Sequence, residues 1–256
     1  MFLPKVQKRG DSMKTILNTP IALKLSACIG LSEHELEILG QLLKQSRKIR
    51  VGQDLVQQGE TNQAAFILMS GWVCSYKIQA DGTRQIVDFQ IPGDFLGVRS
   101  VLFHTSDHNI EPVTEVEVCE ILIPRLLDTF AQHPRLAMAL LWALSRDEAM
   151  VVEHLVNIGR RNPAERMAHF LLELSARLSL IGAGSKTGFT CPLTQPLLAD
   201  ALGLSAVHVN RVLRQLREVG MATFRDGQVV FDNYDRLVAF ADFDSSYLDQ
   251  AGPLLT

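Results

Sequence analysis

Long apolar runs are what this 256-residue chain most plainly lacks: the longest, Leu136 to Leu144, is closed by Ser145, Arg146 and Asp147. That is about half of the 18 or more residues a membrane-spanning helix requires, so no helical span and no membrane partner are expected. The opening residues, MFLPKVQKRGDSMKTIL, carry charges where a secretory leader needs an unbroken apolar stretch of about 7–15 residues. A cytoplasmic location is the expectation. Met13 could also serve as the start, with the first twelve residues as an unstructured extension. Cysteine is scarce too. Cys28, Cys74, Cys119 and Cys191 are widely scattered with no Cys-x-x-Cys pair, which excludes a disulfide frame and points to reduced, mostly buried thiols. Excess positive charge is missing as well: 25 Lys plus Arg against 28 Asp plus Glu leave a net −3. Bulk attraction to a polyanion is thereby excluded, and any nucleic-acid site must be a local basic surface. With 47% hydrophobic and 21% charged residues the composition is that of a globular protein, and the length fits about two domains.

What is present divides into three segments. From about residue 45 to 123, Gly52, Gly59, Gly71, Gly82, Gly93 and Gly97 recur at the turn spacing of a small all-β barrel or sandwich. Alternation places Trp72, Cys74, Tyr76 and Ile78 on one strand face, and Val87, Phe89 and Ile91 on one face of the return strand. Asp81-Gly82 supplies the tight turn between them, and Pro92-Gly93 ends the second strand. Ser32 to Leu43 has helical spacing and should pack on the barrel. The second segment, about 125 to 159, reads as helical. Ala137, Leu141, Leu144, Glu148, Val151, Leu155 and Ile158 form a heptad seam, suited either to a dimer or to the helix's own domain, with Glu148 requiring a partner or water. Arg160 to Pro163 reads as a hinge. Asn162, Pro163 and Glu165 then make a cap, a first-turn proline and a capping box for a helix to about Ser179. The glycines of Ile181 to Gly188 do not match a phosphate-binding loop, which leaves a plain flexible loop.

The third segment carries the sharpest signal. Thr194 to Leu202 reads as a short capped helix, Gly203-Leu204 as a turn, Ser205 as a second cap and Ala206 to Val219 as a second helix, ended by Gly220. Ala199 is small where the helices cross, and Val209 and Val212 face inward. His208, Asn210, Arg211, Arg214 and Arg217 are expected on or near the polar side. Thr223 to Phe231 alternates around Asp226-Gly227, a β-hairpin, so the unit is a winged helix-turn-helix. A helix fits the DNA major groove, where Arg can donate two hydrogen bonds to guanine and Asn can pair with adenine. Val207, His208, Asn210 and Arg211 are the candidate base readers; Thr194, Gln195, Ser205, Arg214 and Arg225 are the candidate phosphate contacts. From Cys191 onward five Arg face eight acidic residues, so attraction is local and the acidic tail (Asp232, Asp235, Asp242, Asp244, Asp249) should face away from DNA.

A glycine-punctuated barrel, a seam helix, a hinge and a winged helix, in that order, resemble the Crp/Fnr family of bacterial transcription regulators over residues 30 to 240. The most telling pieces are Pro92-Gly93-Asp94-Phe95-Leu96-Gly97, Asn162 to Leu174, and Leu193 to Val230. The resemblance implies an α+β fold: an N-terminal β-barrel or jelly-roll sensor domain of the cyclic-nucleotide-binding type, a long dimerisation helix and a C-terminal winged helix-turn-helix. The corresponding boundaries are residues 1–25 for an N-terminal extension, 26–125 for the barrel, 126–161 for the dimerisation helix, 162–243 for the DNA-binding domain and 244–256 for a tail. It also implies a homodimer on double-stranded DNA, reading half-sites about one turn apart, with RNA polymerase as a further partner.

The departures bear on the effector. The family's cyclic-AMP binders carry an Arg-Ser or Arg-Thr pair where an ungapped count places Ser106-Asp107, and a carboxylate there repels a phosphate. Their Thr-Ser pair on the long helix falls at Val151-Val152. Cyclic AMP is therefore not expected in the region of Gly93, Asp94, Phe95, Leu96, Gly97, Ser106 and Asp107. The family's oxygen sensors use clustered N-terminal cysteines, of which only Cys28 is present, so an iron–sulfur cluster is not expected either. Haem remains open, with His104, His108 or Cys74 as conceivable ligands, and so does thiol redox sensing. Arg211 sits where the family's guanine-reading Arg sits, while Val207 replaces a base-reading Glu, so the half-site should differ from those of the familiar members. Dispersed Ser, His and Asp residues argue against an enzyme. The alternative is a small-molecule-binding module whose winged helix mediates protein contacts.

Overall fold

The computed structural model describes residues 14–61, 64–99 and 103–249; the expectation for the first twelve residues lies outside them. Two compact units emerge, one from the chain up to Val73 with Gln90–Ser145, the other from Cys74–Phe89 with Arg146–Asp249. The hairpin read as part of the barrel therefore groups with the C-terminal half.

The first unit holds helices α1 (Pro20–Ser26) and α2 (Glu33–Leu42) and strands β1 (Ser46–Ile49) and β2 (Ala64–Ser70). Strands β3 (Val73–Ile78) and β4 (Arg84–Gln90) form the hairpin. Beyond it the first unit continues through β5 (Phe95–Leu96), β6 (Asn109–Pro112), β7 (Val116–Leu122) and helix α3 (Ile123–Gln132) into α4 (Pro134–Arg160). Its main sheet is antiparallel with order β1-β7-β2-β5, and Ile67 of β2 opposes Cys119 of β7. Strand alternation divides β2 between two cores. Ala65 and Ile67, with Cys119 and Ile121, meet the helices, while Ala64, Phe66 and Leu68 pack with Val116, Val118 and Ile110 on the opposite side. Ser32 caps α2 in a full capping box with Glu35, and Leu36, Leu39 and Leu42 put that helix on the sheet as expected.

Helix α1 falls inside the stretch expected to be an extension, yet Ile21, Ala22 and Leu25 are buried in the core. Its start packs against Gly93, whose φ of +92° and whose contact with the Pro20 carbonyl both exclude a side chain. The segment read as one helical stretch is two helices. His133 leaves the helical region with φ −131° and ψ 71°, and Pro134, lacking an N–H, opens α4 afresh.

In the second unit the turn behaves as expected: Gly82 has φ +83°, and the Asp81 carboxylate accepts from the Thr83 amide at 2.9 Å. The simple alternation does not hold. Val73 through Tyr76 are buried without a break while Ile78 is 57% exposed, because both strand faces are covered as far as Tyr76 and the tip enters water. In β4 it is Ile86, not Val87, that is buried with Phe89. Val87 lines a cavity of about 20 Å³ with His154, Asn157, Phe170 and Leu202, room for roughly one water.

Helix α5 (Pro163–Leu180) begins with the anticipated capping box, Asn162 with Glu165, and runs through the centre of this unit with Met167, Ala168, Leu171 and Leu172 fully buried. The stretch expected to be a plain loop is a hairpin, β8 (Gly184–Ser185) with β9 (Gly188–Thr190). It is drawn into order because β9 pairs with the wing: Gly188 lies opposite Val230, where any side chain would collide with the Val229 carbonyl. Helices α6 (Gln195–Leu202) and α7 (Ala206–Glu218), strands β10 (Thr223–Arg225) and β11 (Gln228–Val230), helix α8 (Tyr234–Ala241) and a 3-10 turn (Ser245–Leu248) complete the unit. Its sheet has the order β10-β11-β9-β8. No helix among the described residues is long and apolar enough to cross a membrane.

Candidate nucleic-acid interface

Two helices and a turn place the candidate DNA contacts, and the turn is fixed locally. Gly203 adopts the left-handed conformation (φ 62°, ψ 42°), and its amide and that of Leu204 both donate to the Ala199 carbonyl. A side chain is strained at that φ, so the change of direction belongs to glycine. The Ser205 hydroxyl then accepts from the His208 amide at 3.2 Å and starts α7. Thr194 occupies the corresponding cap of α6, but its side chain makes no capping bond: Pro196 in the first turn removes one of the amides it would cap. Val209, Val212, Leu213 and Leu216 bury one face of α7, at the spacing of a single helical stripe.

The opposite face is open. Val207 is 81% exposed, and Asn210, Arg211 and Arg214 are exposed with it, while His208 and Arg217 are half-buried. Arg214 makes only a loose pair with Glu218 at 3.7 Å between two exposed side chains. Thr194, Gln195 and Ser205 are exposed at the starts of the two helices. The wing turns at Asp226 and Gly227, both with positive φ (52° and 71°), the geometry of a two-residue hairpin, and Arg225 is exposed beside it. The acidic residues beyond are partly committed: Asp232 accepts from the Thr223 hydroxyl at 2.9 Å, and Asp244 caps the 3-10 turn.

Sequence reasoning missed a charged cluster elsewhere in the same unit. His154 Nδ1 donates to the Val87 carbonyl at 3.1 Å and Nε2 to Glu173 at 2.8 Å. With both nitrogens facing acceptors, the ring is the doubly protonated imidazolium. Glu173 also accepts from the Tyr247 hydroxyl at 2.8 Å, and Arg177 reaches Asp88 at 3.0 Å and the Phe89 carbonyl at 2.8 Å. Donor atoms of Asp88, His154 and Glu173 lie within 4.8 Å of one another, a spacing a metal ion could use. The imidazolium and the Arg177 guanidinium already neutralise the two carboxylates, so the cluster is an ionic tie between hairpin, α4 and α5. The only signal in sequence is the four-residue spacing of Glu173 and Arg177.

In the first unit, three of the residues expected at an effector pocket, Asp94, Leu96 and Ser106, make contacts within the fold. The Asp94 carboxylate is buried, accepting from Lys24 Nζ at 2.6 Å and from the Ile91 amide at 2.9 Å; Leu96 is buried in the core. The Ser106 hydroxyl donates to the His108 carbonyl at 2.7 Å. Asp107 lies 2.7 Å from His108 Nδ1 and 3.4 Å from Arg99, a cation the sequence reading passed over. Gly93 and Gly97 take positive φ on either side of the half-buried Phe95. Cys28, Cys74, Cys119 and Cys191 are all buried and none is in a disulfide; burial pushes the Cys119 thiol up to about 11 and that of Cys191 up to about 12.

Two family models match the chain, a cyclic nucleotide-binding domain over residues 46–133 and a Crp-like helix-turn-helix domain over residues 165–240. Together they take in well over half of it. The chain is 27% identical over 214 residues to the fumarate and nitrate reduction regulatory protein of Salmonella typhimurium, covering 82% of this chain and 84% of that protein. It is 25% identical over 208 residues to the anaerobic regulatory protein of Aggregatibacter actinomycetemcomitans, covering 81% and 80%. Among solved structures it is similar to FixK2 from Bradyrhizobium japonicum, with 26% identity and a TM-score of 0.69 over 77% of this chain and 96% of that one. A c-di-GMP-responsive global regulator from Xanthomonas campestris shares the fold at 20% identity and a TM-score of 0.62, covering 76% and 98%. These relatives are regulators, not enzymes. With a cyclic nucleotide-binding-type domain ahead of a winged helix-turn-helix, the chain belongs to the Crp/Fnr family of DNA-binding transcription regulators.

Proposed function

We propose that the protein acts as a homodimer on a near-palindromic operator, each protomer laying α7 in the major groove. The observation that carries this reading is the open face of α7, with Val207, Asn210 and Arg211 exposed over a buried apolar stripe and flanked by the wing. Arg211 supplies the bidentate contact to guanine; Asn210 suits adenine, and Val207 suits a thymine methyl. Arg211→Ala is expected to lower affinity for the operator by about 1–3 kcal/mol, read by fluorescence anisotropy on a duplex selected from random DNA by the wild-type protein. An affinity equal to wild type would remove Arg211 from the base readers.

The dimer is supported by an uncovered apolar stripe on α4, where Leu141, Val151, Leu155 and Ile158 are 56%, 45%, 73% and 38% exposed. Ala137 and Leu144 are half-buried, and Glu148 is exposed at the seam's midpoint. Leu155→Asp puts a charge into that stripe. Sedimentation should then find monomers, with operator affinity reduced because two half-sites are no longer held together. An intact dimer would place the seam elsewhere.

The effector, on this reading, is not cyclic AMP. The Ser106 hydroxyl is spent on its own loop, a carboxylate stands at 107, and Val151 and Val152 offer no hydroxyls. Nor does the donor set suit a four-thiolate cluster: among the described residues, the group of three donors that could hold a metal contains no cysteine. Of the conceivable haem ligands, Cys74 is fully buried and His108 is held by Asp107, which leaves the exposed His104 as the one accessible candidate. The hinge at Arg160 to Pro163 is the element an effector would bias, and RNA polymerase is the partner downstream.

A further inference from the structure

Arg166 lies one turn into α5 and touches three carbonyls at once. Nη1 donates to Leu202 at 2.6 Å; Nη2 donates to Ile158 at 2.8 Å and to Arg161 at 3.2 Å. Leu202 is the last residue of α6, and Ile158 lies in the last turn of α4. A helix leaves its final carbonyls without partners in the helix and concentrates there the negative end of its dipole. Two such ends are aimed at one guanidinium. Without a cation they would repel each other and leave carbonyls unpaired.

The accounting at the end of α6 is close to complete. Ala199 accepts from the amides of Gly203 and Leu204, Ala201 from Gln85 Nε2 at 3.3 Å, and Leu202 from Arg166. Asp200, in the same turn, pairs with Arg84 of the β3–β4 hairpin at 2.9 Å. On the α4 side Asn157 Nδ2 donates back to the Arg166 carbonyl at 3.3 Å, so that the link runs both ways. A Cβ built at Gly203 would stand 3.7 Å from Nη1, an ordinary van der Waals contact, so the glycine is required by its φ of +62° and not by the guanidinium.

We propose that Arg166 is a positioning residue for DNA recognition, cross-capping the C-terminal ends of α4 and α6 and thereby holding the helix-turn-helix at one angle to the seam helix across the hinge. This rests on the reading of α7 as the DNA-contacting helix. The planar fork of arginine is needed, because one lysine ammonium cannot reach carbonyls on two helices in the same geometry.

The test uses the full-length chain with spin labels at S145C on α4 and Q215C on α7, both exposed, diluted with unlabelled protein. Wild type should give one narrow distance distribution without DNA. R166A should broaden or shift it and weaken operator binding about tenfold or more, and R166K should recover only part of either. If R166A does not fold, R166K decides alone, by the same distance measurement. A wild-type distribution in the folded variant, with operator affinity within about twofold, overturns the proposal. The distances are read without DNA, so they report on the pin even if wild type selects no operator, a result that would instead overturn the DNA reading of α7.

Discussion

Glu173→Ala is expected to destabilise the C-terminal unit by about 3–5 kcal/mol, the range for removing one partner of a buried ion pair. Glu173 has no exposed surface, and three groups converge on it: His154, Tyr247 and, at 3.7 Å, Arg177. Alanine would leave the imidazolium without that counter-charge. Burial by itself disfavours charge on His154, but the Glu173 carboxylate, helped by Asp88, outweighs it and raises the pKa from 6.5 to about 9. Burial likewise pushes Glu173 up, yet His154, Arg177 and the Tyr247 hydroxyl hold it down at about 2.

The pH dependence follows from these directions. A raised histidine contributes stability that is complete below about pH 6.5 and is lost as pH rises through about 9. A depressed carboxylate contributes stability present above about pH 4.5 and lost as pH falls through about 2. His169 acts the other way on the acid side. Burial, then Arg161, lowers it to about 4, so its contribution is lost as pH falls from 6.5 through that value. Urea midpoints of wild type should therefore peak near pH 6.5 and decline toward 9. Glu173→Gln keeps the shape but not the charge, and its midpoints should be lower and nearly flat over the alkaline half. A wild-type decline retained in Glu173→Gln would show that the His154–Glu173 pair is not its source.

The second large effect is expected at Asp94, again about 3–5 kcal/mol for Asp94→Ala, now in the N-terminal unit. Both side chains of the Lys24–Asp94 pair are 6% exposed, at 2.6 Å, and the other carboxylate oxygen accepts from the Ile91 amide at 2.9 Å. Removing the carboxylate strands an ammonium inside the core and loosens α1. Replacing both partners by apolar residues, as in Lys24→Met with Asp94→Leu, removes the charge mismatch and should recover much of the loss in denaturant unfolding. No recovery would mean that the backbone contact at Ile91, not the ion pair, carries the stability. Asp94 stands where an effector contact was expected, so a loss of regulation in Asp94→Ala is anticipated from misfolding alone, and the double variant separates the two causes.

The winged helix was legible because its signals are local. Gly203 and Gly220 stop helices, Ser205 and Asn162 start them, and Asp226-Gly227 turns a hairpin, each through backbone conformation within a few residues. The exposed stripe of α4 was equally readable as a period along one helix, although its dimeric role was not separable from packing within the domain. Strand alternation failed in β3 and β4 because it presumes one wet face, and these strands are covered on both over much of their length.

By itself the sequence determined the order of the elements, the helix-turn-helix with its wing and the face of α7 that carries Arg211, all consequences of short-range sterics and periodicity. Only the tertiary structure decided that residues 20–26 are core, that Lys24 meets Asp94 across 70 positions, and that Arg166 reaches Leu202 across 36. A buried charge has to find its partner wherever the fold brings one. That choice is made by packing and the cost of desolvation, which leave no spacing rule along the chain.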